Sequence, residues 1–211
     1  MPPRADHKRT VASSYDRIAG EMLRLAASEP PGRKIGYLER ATEGLSPDAR
    51  VLDLGCGPGL QSAWLAERFR TMGADISRGQ LALARERAPE ASFLLTDMSS
   101  LAFAPQSLAA IVALYSIIHV PREEHAALFA SMHRWLKPGG RLLVVIGAND
   151  WEGGESNWLD MGADMWWSHF DAQTGLDMLR AAGFAIVESK IEPDSLIGEG
   201  AHLFAICETV S

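Results

Sequence analysis

The chain contains little of what disulfide frameworks, zinc sites and nucleic-acid surfaces require. It has two cysteines among 211 residues, and two isolated cysteines favour neither a disulfide framework nor a zinc site. Lysine and arginine number 20 against 27 acidic residues, which gives a formal net charge of −7. An acidic chain without a long basic run does not suit a polyanionic partner. We therefore expect no metal and no nucleic-acid partner.

Long apolar runs are also absent. No apolar stretch approaches the ~18 residues of a membrane span, and Met1 to His7 lack the apolar segment of a signal peptide. These absences predict a cytoplasmic protein without a membrane contact. Hydrophobic residues still make up 47% of the chain, which is enough for one sizeable core. We expect a single domain over residues 1–211, as a monomer or homodimer.

The most informative stretch is Val51 to Gly59, with the sequence VLDLGCGPG. Its apolar run predicts a buried parallel strand, and its glycines predict a tight turn that lets a ligand approach the backbone. Apolar residues at helical spacing follow from Leu60 to Phe69, so the turn opens a helix. Unpaired N–H groups and the helix dipole at such a junction favour a nucleotide-containing cofactor above the strand.

Two acidic residues refine this prediction. Asp53 precedes the first glycine, where a carboxylate would repel a pyrophosphate but would suit a cationic group. Asp75 ends the next apolar segment, where a carboxylate can accept hydrogen bonds from ribose hydroxyls. The turn Gly-Cys-Gly-Pro-Gly also departs from the GxGxxG spacing of nicotinamide-dependent oxidoreductases. Such an oxidoreductase is therefore the less favoured alternative.

These residues resemble the first motif of the class I S-adenosylmethionine (SAM)-dependent methyltransferases. The resemblance continues, in the family's order, through Leu94 to Met98, Ala113 to Pro121 and Trp135 to Gly140. It implies an α/β fold with one doubly wound, mostly parallel sheet of seven strands, flanking helices, an antiparallel last strand and an N-terminal helical cover. It also implies an enzyme that uses SAM and releases S-adenosylhomocysteine (SAH).

The resemblance implies a set of cofactor-binding residues. In the family the glycine turn holds the methionine part of SAM, the position of Asp75 binds the ribose, and the position of Asp97 meets the adenine amino group with Met98 beside the ring. Capping of the turn at Ser99 is the alternative for Asp97. The expected set is Tyr15, Asp53, Gly55, Cys56, Gly57, Gly59, Asp75, Ile76, Asp97, Met98 and Tyr115.

Residues 1–45 are expected to form the helical cover, with a break from Pro30 to Gly32. The segment that begins at Tyr15 resembles the N-terminal tyrosine segment of the ubiquinone and menaquinone branch of the family, where such a helix covers the cofactor. A cover of this kind excludes water from group transfer. The alternative is a helical arm that only packs on the core.

A second segment of interest, the predicted insert at 148–170, contains four of the six tryptophans. It shows no clean helical or strand period, and it follows the carboxyl end of a strand, so it hangs over the crevice. Trp158, Trp166 and Trp167 are predicted to form an aromatic wall for the acceptor, with core packing as the alternative. The acceptor is accordingly expected to be small and apolar or aromatic.

Methyl transfer to a hydroxyl, thiol or protonated amine benefits from a general base. His119, just past the fourth predicted strand, and His169, after the tryptophan-rich segment, are the candidates, with packing as the alternative for each. His202 is expected to be structural. His125 and His133 are expected to be solvated, as is the acidic loop that contains Glu192, Asp194 and Glu199.

Metal assistance is not expected. Asn149 and Asp150 follow the fifth predicted strand, but no matching set of carboxylates and histidines surrounds them. Intact cofactor motifs do not prove turnover. A protein that binds SAM or SAH without transferring a methyl group, as a sensor or partner subunit, is therefore the alternative function.

Overall fold

The computed structural model of the chain describes residues 4–28, 32–194 and 200–210. Its helices are α1 (Arg4–Arg17), α2 (Ala19–Ser28), α3 (Gly32–Thr42), α4 (Leu60–Ala66), α5 (Arg78–Arg87), α6 (His125–Trp135) and α7 (Ala172–Ala181). Its strands are β1 (Arg50–Leu54), β2 (Arg70–Asp75), β3 (Ser92–Leu95), β4 (Leu108–Ala113), β5 (Leu136–Gly147), β6 (Trp151–Glu155), β7 (Met165–His169), β8 (Phe184–Pro193) and β9 (Ala201–Thr209). No described helix is long and apolar enough to cross a bilayer.

Seven strands form one sheet in the order β3-β2-β1-β4-β5-β9-β8. The pairs from β3 to β5 are parallel, whereas β9 is antiparallel to both β5 and β8. The expected seven-stranded sheet with an antiparallel last strand is therefore confirmed. The strand order reverses between β1 and β4, and in open α/β sheets the crevice at such a reversal is the usual ligand site.

Apolar side chains cover both faces of the sheet. Every residue of β4 is buried, as expected for a central parallel strand with helices on both sides. One core cluster includes Phe129, Met132 and Trp135 of α6, and the cluster on the other face includes Tyr37 and Leu38 of α3. The site at the carboxyl ends of the strands therefore rests on a rigid centre.

The tryptophan-rich segment is more regular than its sequence suggests. β6 and β7 pair as an antiparallel hairpin, with Trp151 opposite His169. A third apolar cluster joins this hairpin region to the N-terminal helices through Val11, Ile18, Trp158 and Trp166. The two segments therefore pack on each other. The missing period follows from this packing, because both faces of β7 are largely buried.

Three further expectations need correction or fall outside the described residues. The sequence Lys-Pro-Gly-Gly is typical of a turn that ends a helix, but Lys137 to Gly140 lie within β5, where the pairing of β4 with β5 shifts register between Leu108 and Ala110. The predicted break at Pro30 to Gly32 falls largely outside the described residues, and α3 begins at Gly32. Glu199 also lies outside them.

The expectation that His125 and His133 are solvated is wrong. His125 is 3% exposed, and its Nε2 donates to the carbonyl of Val120 at 2.9 Å. His133 packs edge-on against Phe184 with ring centroids 5.2 Å apart. His125 thus satisfies a ring nitrogen on a backbone carbonyl, and His133 packs on an aromatic ring, so their polar sequence neighbours were a poor guide to burial.

Candidate functional site

A first cavity of about 160 Å³ opens at the carboxyl ends of β1, β2 and β4. Most of the residues expected to bind the cofactor line it, namely Tyr15, Gly55, Cys56, Gly57, Asp75, Ile76, Asp97, Met98 and Tyr115. They come from α1, the glycine turn, the ends of β2 and β3, and the end of β4. The fold therefore brings together residues that lie far apart in the sequence.

The glycine turn closes tightly over β1. Gly55 has φ of 74°, and a Cβ added there would lie 2.1 Å from Cβ of Ser116. Gly59 has φ of 81° and precedes α4, but it does not line the cavity. An added Cβ at Gly59 would lie 2.8 Å from Cα of Ala84, so this glycine lets α4 approach α5. Its expected contact with the cofactor is corrected to a packing role.

The Asp75 carboxylate stabilises the glycine turn by hydrogen bonds. Its Oδ2 accepts the N–H of Gly57 at 2.8 Å, and its Oδ1 accepts the N–H of Ser77 at 2.9 Å. Burial raises the pKa of this carboxyl, although both N–H donors act in the opposite direction. Each oxygen keeps a further lone pair, and the side chain lines the cavity. A ribose diol can therefore donate to it.

Asp53 does not line the cavity. It is 2% exposed, and its Oδ2 accepts the hydroxyl of Ser62 at 2.6 Å. Burial raises the pKa of Asp53 to about 7. The expectation that this carboxylate meets a cationic group of the ligand is therefore corrected. The side chain instead ties β1 to α4 beneath the glycine turn.

Asp97 makes two interactions at once. Its Oδ1 accepts the N–H of Ser99 at 2.9 Å, which is the capping role weighed above. Its Oδ2 lies 2.8 Å from Nζ of Lys8, and the same ammonium lies 2.5 Å from Oε2 of Glu124. Lys8 thus anchors α1 to the rim of the cavity beside Met98. Nothing in the local sequence of Lys8 marks it for this contact.

The N-terminal helix α1 covers the first cavity through specific bonds. The carboxylate of Asp16 accepts the hydroxyl of Ser77 at 2.7 Å and the N–H of Gly79 at 2.8 Å, at the start of α5. Arg17 donates to the carbonyl of Gly162 at 2.7 Å, which joins α1 to the β6–β7 region. These bonds hold α1 against the first cavity, and its role as a cover over a bound cofactor stays a prediction.

A second cavity of about 500 Å³ adjoins the first. The two share the side chains of Tyr15, Met22, Tyr115 and His119 as a common wall. Trp158 and Trp167 line the second cavity, and their contact with an acceptor stays a prediction. Trp166 does not, because its ring stacks on His7 with centroids 4.1 Å apart. Its expected contact with the acceptor is corrected to a packing contact between β7 and α1.

Proteins that are similar to this chain in sequence or in fold include methyltransferases. Residues 51–140 match the family described as a methyltransferase domain. Methyltransferase GfsG of Streptomyces halstedii is 36% identical over 162 residues, which cover 65% of this chain and 57% of that protein. Residues 51–140, which run from β1 into β5, thus resemble a methyltransferase domain. A trans-aconitate 2-methyltransferase of Variovorax paradoxus is 41% identical over 104 residues, which cover 48% of this chain and 39% of that protein.

The chain spans roughly half the length of these two curated relatives of the methyltransferase family. A solved structure extends the fold match over the whole chain. It is 1,6-didemethyltoxoflavin-N1-methyltransferase of Burkholderia thailandensis with bound 1,6-didemethyltoxoflavin and SAH. It has a TM-score of 0.76 at 19% identity, and the match covers 100% of this chain and 92% of that chain. At this identity the likeness shows the fold.

His119, on the common wall of the two cavities, is held at both ring nitrogens. Its Nδ1 lies 2.8 Å from the carbonyl oxygen of Trp166, which can only accept, so Nδ1 carries the proton. Its Nε2 therefore accepts the hydroxyl of Tyr15 at 2.8 Å. Burial lowers the pKa of His119 to about 4 and raises the pKa of the Tyr15 hydroxyl well above its ordinary value. The expectation that His119 takes a proton from the acceptor conflicts with this arrangement.

His169 lines the second cavity and is 8% exposed. Its Nδ1 donates to the carbonyl of Asn149 at 2.8 Å, so its Nε2 carries the lone pair. Burial lowers its pKa. Asp171 does not orient this ring. It caps α7 instead, by accepting the N–H groups of Gln173 and Thr174.

The structure places two residues at the second cavity that the sequence interpretation assigned elsewhere. Asp194 was expected in a solvated loop but is 8% exposed, and His202 was expected to be only structural. Both line the cavity, and Oδ2 of Asp194 lies 3.4 Å from Nδ1 of His202. The strand pairing that places His202 opposite Glu192 brings them together. The proximity of Asp194 and His202 depends on this strand pairing, so no local sequence pattern could predict it.

Tyr115 joins the two cavities and carries backbone strain. It has φ of 56°, a left-handed conformation that is uncommon for a bulky side chain and clusters at functional sites. Nζ of Lys34 lies 4.9 Å from the centre of its ring. Among the described residues, no group of three or more histidine, cysteine or acidic side chains could hold a metal ion.

Proposed function

We propose that this chain transfers the methyl group of SAM to a small, apolar or aromatic organic acceptor and releases SAH. The observation that carries the proposal is the common wall of the two cavities. One cavity is lined by the glycine turn and Asp75, and the other is lined by Trp158 and Trp167. A donor in the first and an acceptor in the second would meet at Tyr115, which lines both.

The residues of the first cavity fit SAM by their chemistry. Asp75 offers carboxylate lone pairs to the ribose hydroxyls, and Met98 offers an apolar surface to the adenine ring. Gly55, Cys56 and Gly57 leave the backbone open to the methionine part. Asp97 would accept the adenine amino group only beside its bond with Lys8. The similarity of the Tyr15 segment to the ubiquinone and menaquinone branch stays a prediction.

The charges of the second cavity narrow the class of acceptor. Its titratable lining consists of histidines and tyrosines with Glu155 and Asp194, and no lysine or arginine among the described residues lines it. A phosphate or a set of carboxylates would meet no cation there, and its desolvation would be uncompensated. Together with Trp158 and Trp167, this lining favours a neutral or cationic aromatic acceptor.

The proposed organisation follows from the same contacts. Residues 1–45 act as a cover, the 148–170 insert forms the acceptor side, and both belong to one domain. Their common apolar cluster of Val11, Ile18, Trp158 and Trp166 supports this division. Closing an active site in this way excludes water from the reacting groups.

Calorimetric titration with SAM, SAH and NAD tests the cofactor class. We expect SAM and SAH to bind and NAD not to bind. Asp75→Ala should abolish binding of both sulfur compounds. Asp48→Ala is the matched control, because the Asp48 side chain is 84% exposed and pairs with Arg70 far from the cavity. Binding of NAD alone, or full SAH affinity in Asp75→Ala, would contradict the proposal. Binding without methyl transfer to any acceptor would favour the non-catalytic alternative.

A further inference from the structure

A partly buried histidine and a buried carboxylate lie side by side in the wall of the second cavity. Nδ1 of His202 on β9 lies 3.4 Å from Oδ2 of Asp194, and their side chains are 14% and 7% exposed. Nδ1 is itself buried, and none of the described residues hydrogen-bonds it. A carboxylate at this distance favours the tautomer with the proton on Nδ1, which leaves the lone pair on Nε2.

We propose that His202, oriented by Asp194, is the catalytic base that takes the proton from the acceptor. The proposal rests on the proposed methyl transfer and assigns its proton-accepting step to one residue. It also assigns Asp194 as a positioning residue, which acts through the histidine and not on the acceptor.

His202 lies next to the place where donor and acceptor would meet. Its ring contacts Tyr115 edge-on, with centroids 5.0 Å apart. Tyr115 lines both cavities, whereas His202 lines only the second. A proton acceptor is needed on the acceptor's side of this wall, because the transferred methyl group arrives from the other side.

The other two histidines of the cavity are less suited to the step. Nε2 of His119 already accepts the hydroxyl of Tyr15. His169 has the neutral carbonyl of Asn149 behind its Nδ1, whereas His202 has the carboxylate of Asp194. A carboxylate stabilises the imidazolium that forms on proton transfer more strongly than a carbonyl does.

Methyl transfer to an acceptor hydroxyl forms one bond, breaks one bond and moves one proton. An oxygen electron pair forms the new bond to the methyl carbon, and the methyl–sulfur bond breaks with its electron pair remaining on sulfur. The hydroxyl proton moves to Nε2 of His202. The resulting imidazolium lies beside the carboxylate of Asp194, and its proton passes to water after the products leave.

Several groups face His202 and set its protonation. Asp194 raises its pKa, while burial and the nearby His169 lower it, and burial is the largest of these effects. His119 is close enough to couple electrostatically, and Lys34 lies behind the ring of Tyr115. The net effect lowers the pKa of His202 below its ordinary value. The ring is therefore neutral near pH 7 and ready to accept a proton.

The first test needs no acceptor. Imidazole nitrogen NMR of the full chain, alone and with SAH, reports which nitrogen of His202 carries the proton. We expect the proton on Nδ1, and we expect Asp194→Asn to lower the pKa of His202. A proton on Nε2, or an unchanged pKa in Asp194→Asn, would overturn the assignment of the pair. This readout is independent of whether SAM binds, so it separates failure of the pair from failure of the proposed function.

The second test measures methyl transfer against pH. His202→Gln should lower kcat about 100-fold, leave SAH affinity within about twofold and remove the ascending limb of the pH profile. Asp194→Asn should move that limb to lower pH. His133→Gln is the control, because His133 lies on α6 against Phe184, away from both cavities. Full kcat in His202→Gln, or loss of the limb only in His169→Gln, would overturn the proposal. Absence of methyl transfer in the wild-type chain would overturn it together with the proposed function.

Discussion

Tyr15 of α1 and His119, which follows β4, are joined by a bond of 2.8 Å between Oη and Nε2. The other nitrogen of the same ring donates to Trp166 in β7. One imidazole therefore links the N-terminal helix, the turn after β4 and the tryptophan-rich hairpin. His119 thus holds the cover over the crevice and keeps the common wall of the two cavities in place.

Tyr15→Phe should weaken SAH binding about tenfold. The change removes the hydroxyl and leaves Nε2 of the buried His119 without a donor, which costs about 1–3 kcal/mol, and tenfold corresponds to about 1.4 kcal/mol. Calorimetry measures the affinity. Tyr37→Phe is the matched control, because it removes one hydroxyl bond, to Glu192, in a residue that lines neither cavity. Equal SAH affinity in the two variants would show that the cover does not depend on this bond.

Asp16→Ala should loosen α1 without unfolding the sheet. The carboxylate of Asp16 accepts two bonds at the start of α5, from Ser77 and Gly79, and a negative charge at a helix N-terminus adds to their strength. Hydrogen exchange should become faster across the described part of α1 and stay unchanged in β4. Glu21→Ala serves as control, because Glu21 pairs with the exposed Arg24 on its own helix. Unchanged exchange in Asp16→Ala would count against the anchoring role.

Gly55→Ala should destabilise the chain far more than Gly57→Ala. Both glycines have positive φ, but an added Cβ meets Ser116 at 2.1 Å in the first case and nothing within 4 Å in the second. We expect about 1–2 kcal/mol for Gly57→Ala from backbone strain and at least about 3 kcal/mol for Gly55→Ala, where overpacking adds to it. Urea unfolding measures both. Similar losses in the two variants would contradict the close packing of the turn on Ser116.

Asp53→Asn should stabilise the chain at pH 8 more than at pH 5. The pKa of Asp53 is about 7 in the folded chain, against an ordinary value of 3.8, so the folded state holds this proton more tightly. The wild type therefore loses stability as pH rises through this interval, and it stays at the lower level above pH 7. Asparagine cannot ionise and can still accept the bond from Ser62.

The gap in unfolding free energy between Asp53→Asn and the wild type should grow by at least about 1 kcal/mol from pH 5 to pH 8, since one pKa unit corresponds to about 1.4 kcal/mol. Urea unfolding at the two pH values measures it. Asp48→Asn, at an exposed position, should show no such growth. A gap that does not change with pH would mean that Asp53 is ionised in the folded chain throughout this range.

Trp166→Ala and Trp167→Ala should separate packing from acceptor binding in adjacent residues. Trp166 stacks on His7, so its loss should cost about 3–5 kcal/mol of stability. Trp167 lines the second cavity, so its loss should raise the KM for the acceptor and leave SAH affinity unchanged. Thermal unfolding and steady-state kinetics distinguish the two effects. The reverse assignment of effects would contradict the geometry of β7.

The sheet and the glycine turn were predictable because their signals are local. An apolar run such as Val51 to Leu54 indicates a buried strand whatever the fold of the rest of the chain. Asp75 is likewise recognisable from its position at the end of the apolar segment that forms β2. An aspartate just before a helix typically caps it, and Asp171 does so by accepting the N–H groups of Gln173 and Thr174. These features depend on residues within a few positions of each other.

The contacts that shape the candidate site depend on distant parts of the chain. Asp194 and His202 meet because the pairing of β8 with β9 sets Pro193 opposite Ala201, and Lys8 meets Asp97 because α1 folds back over the crevice. The local sequence of Asp194 indicated an exposed loop, yet the fold buries it. For Asp53 the sequence predicted contact with a ligand, because the residue lies beside the glycine turn. In the fold its side chain instead accepts the hydroxyl of Ser62.

The proposed reaction transfers a methyl group between the two cavities, past the common wall of Tyr15, Met22, Tyr115 and His119. The most direct measurement incubates the full chain with SAM that carries a deuterated methyl group and with a panel of small acceptors, then follows SAH and labelled product by mass spectrometry. We predict that SAH and label appear together with neutral aromatic acceptors, and that phosphorylated or polycarboxylate analogues are poor substrates. Release of SAH without label in any acceptor, or no SAH above the Asp75→Ala background, would contradict the account.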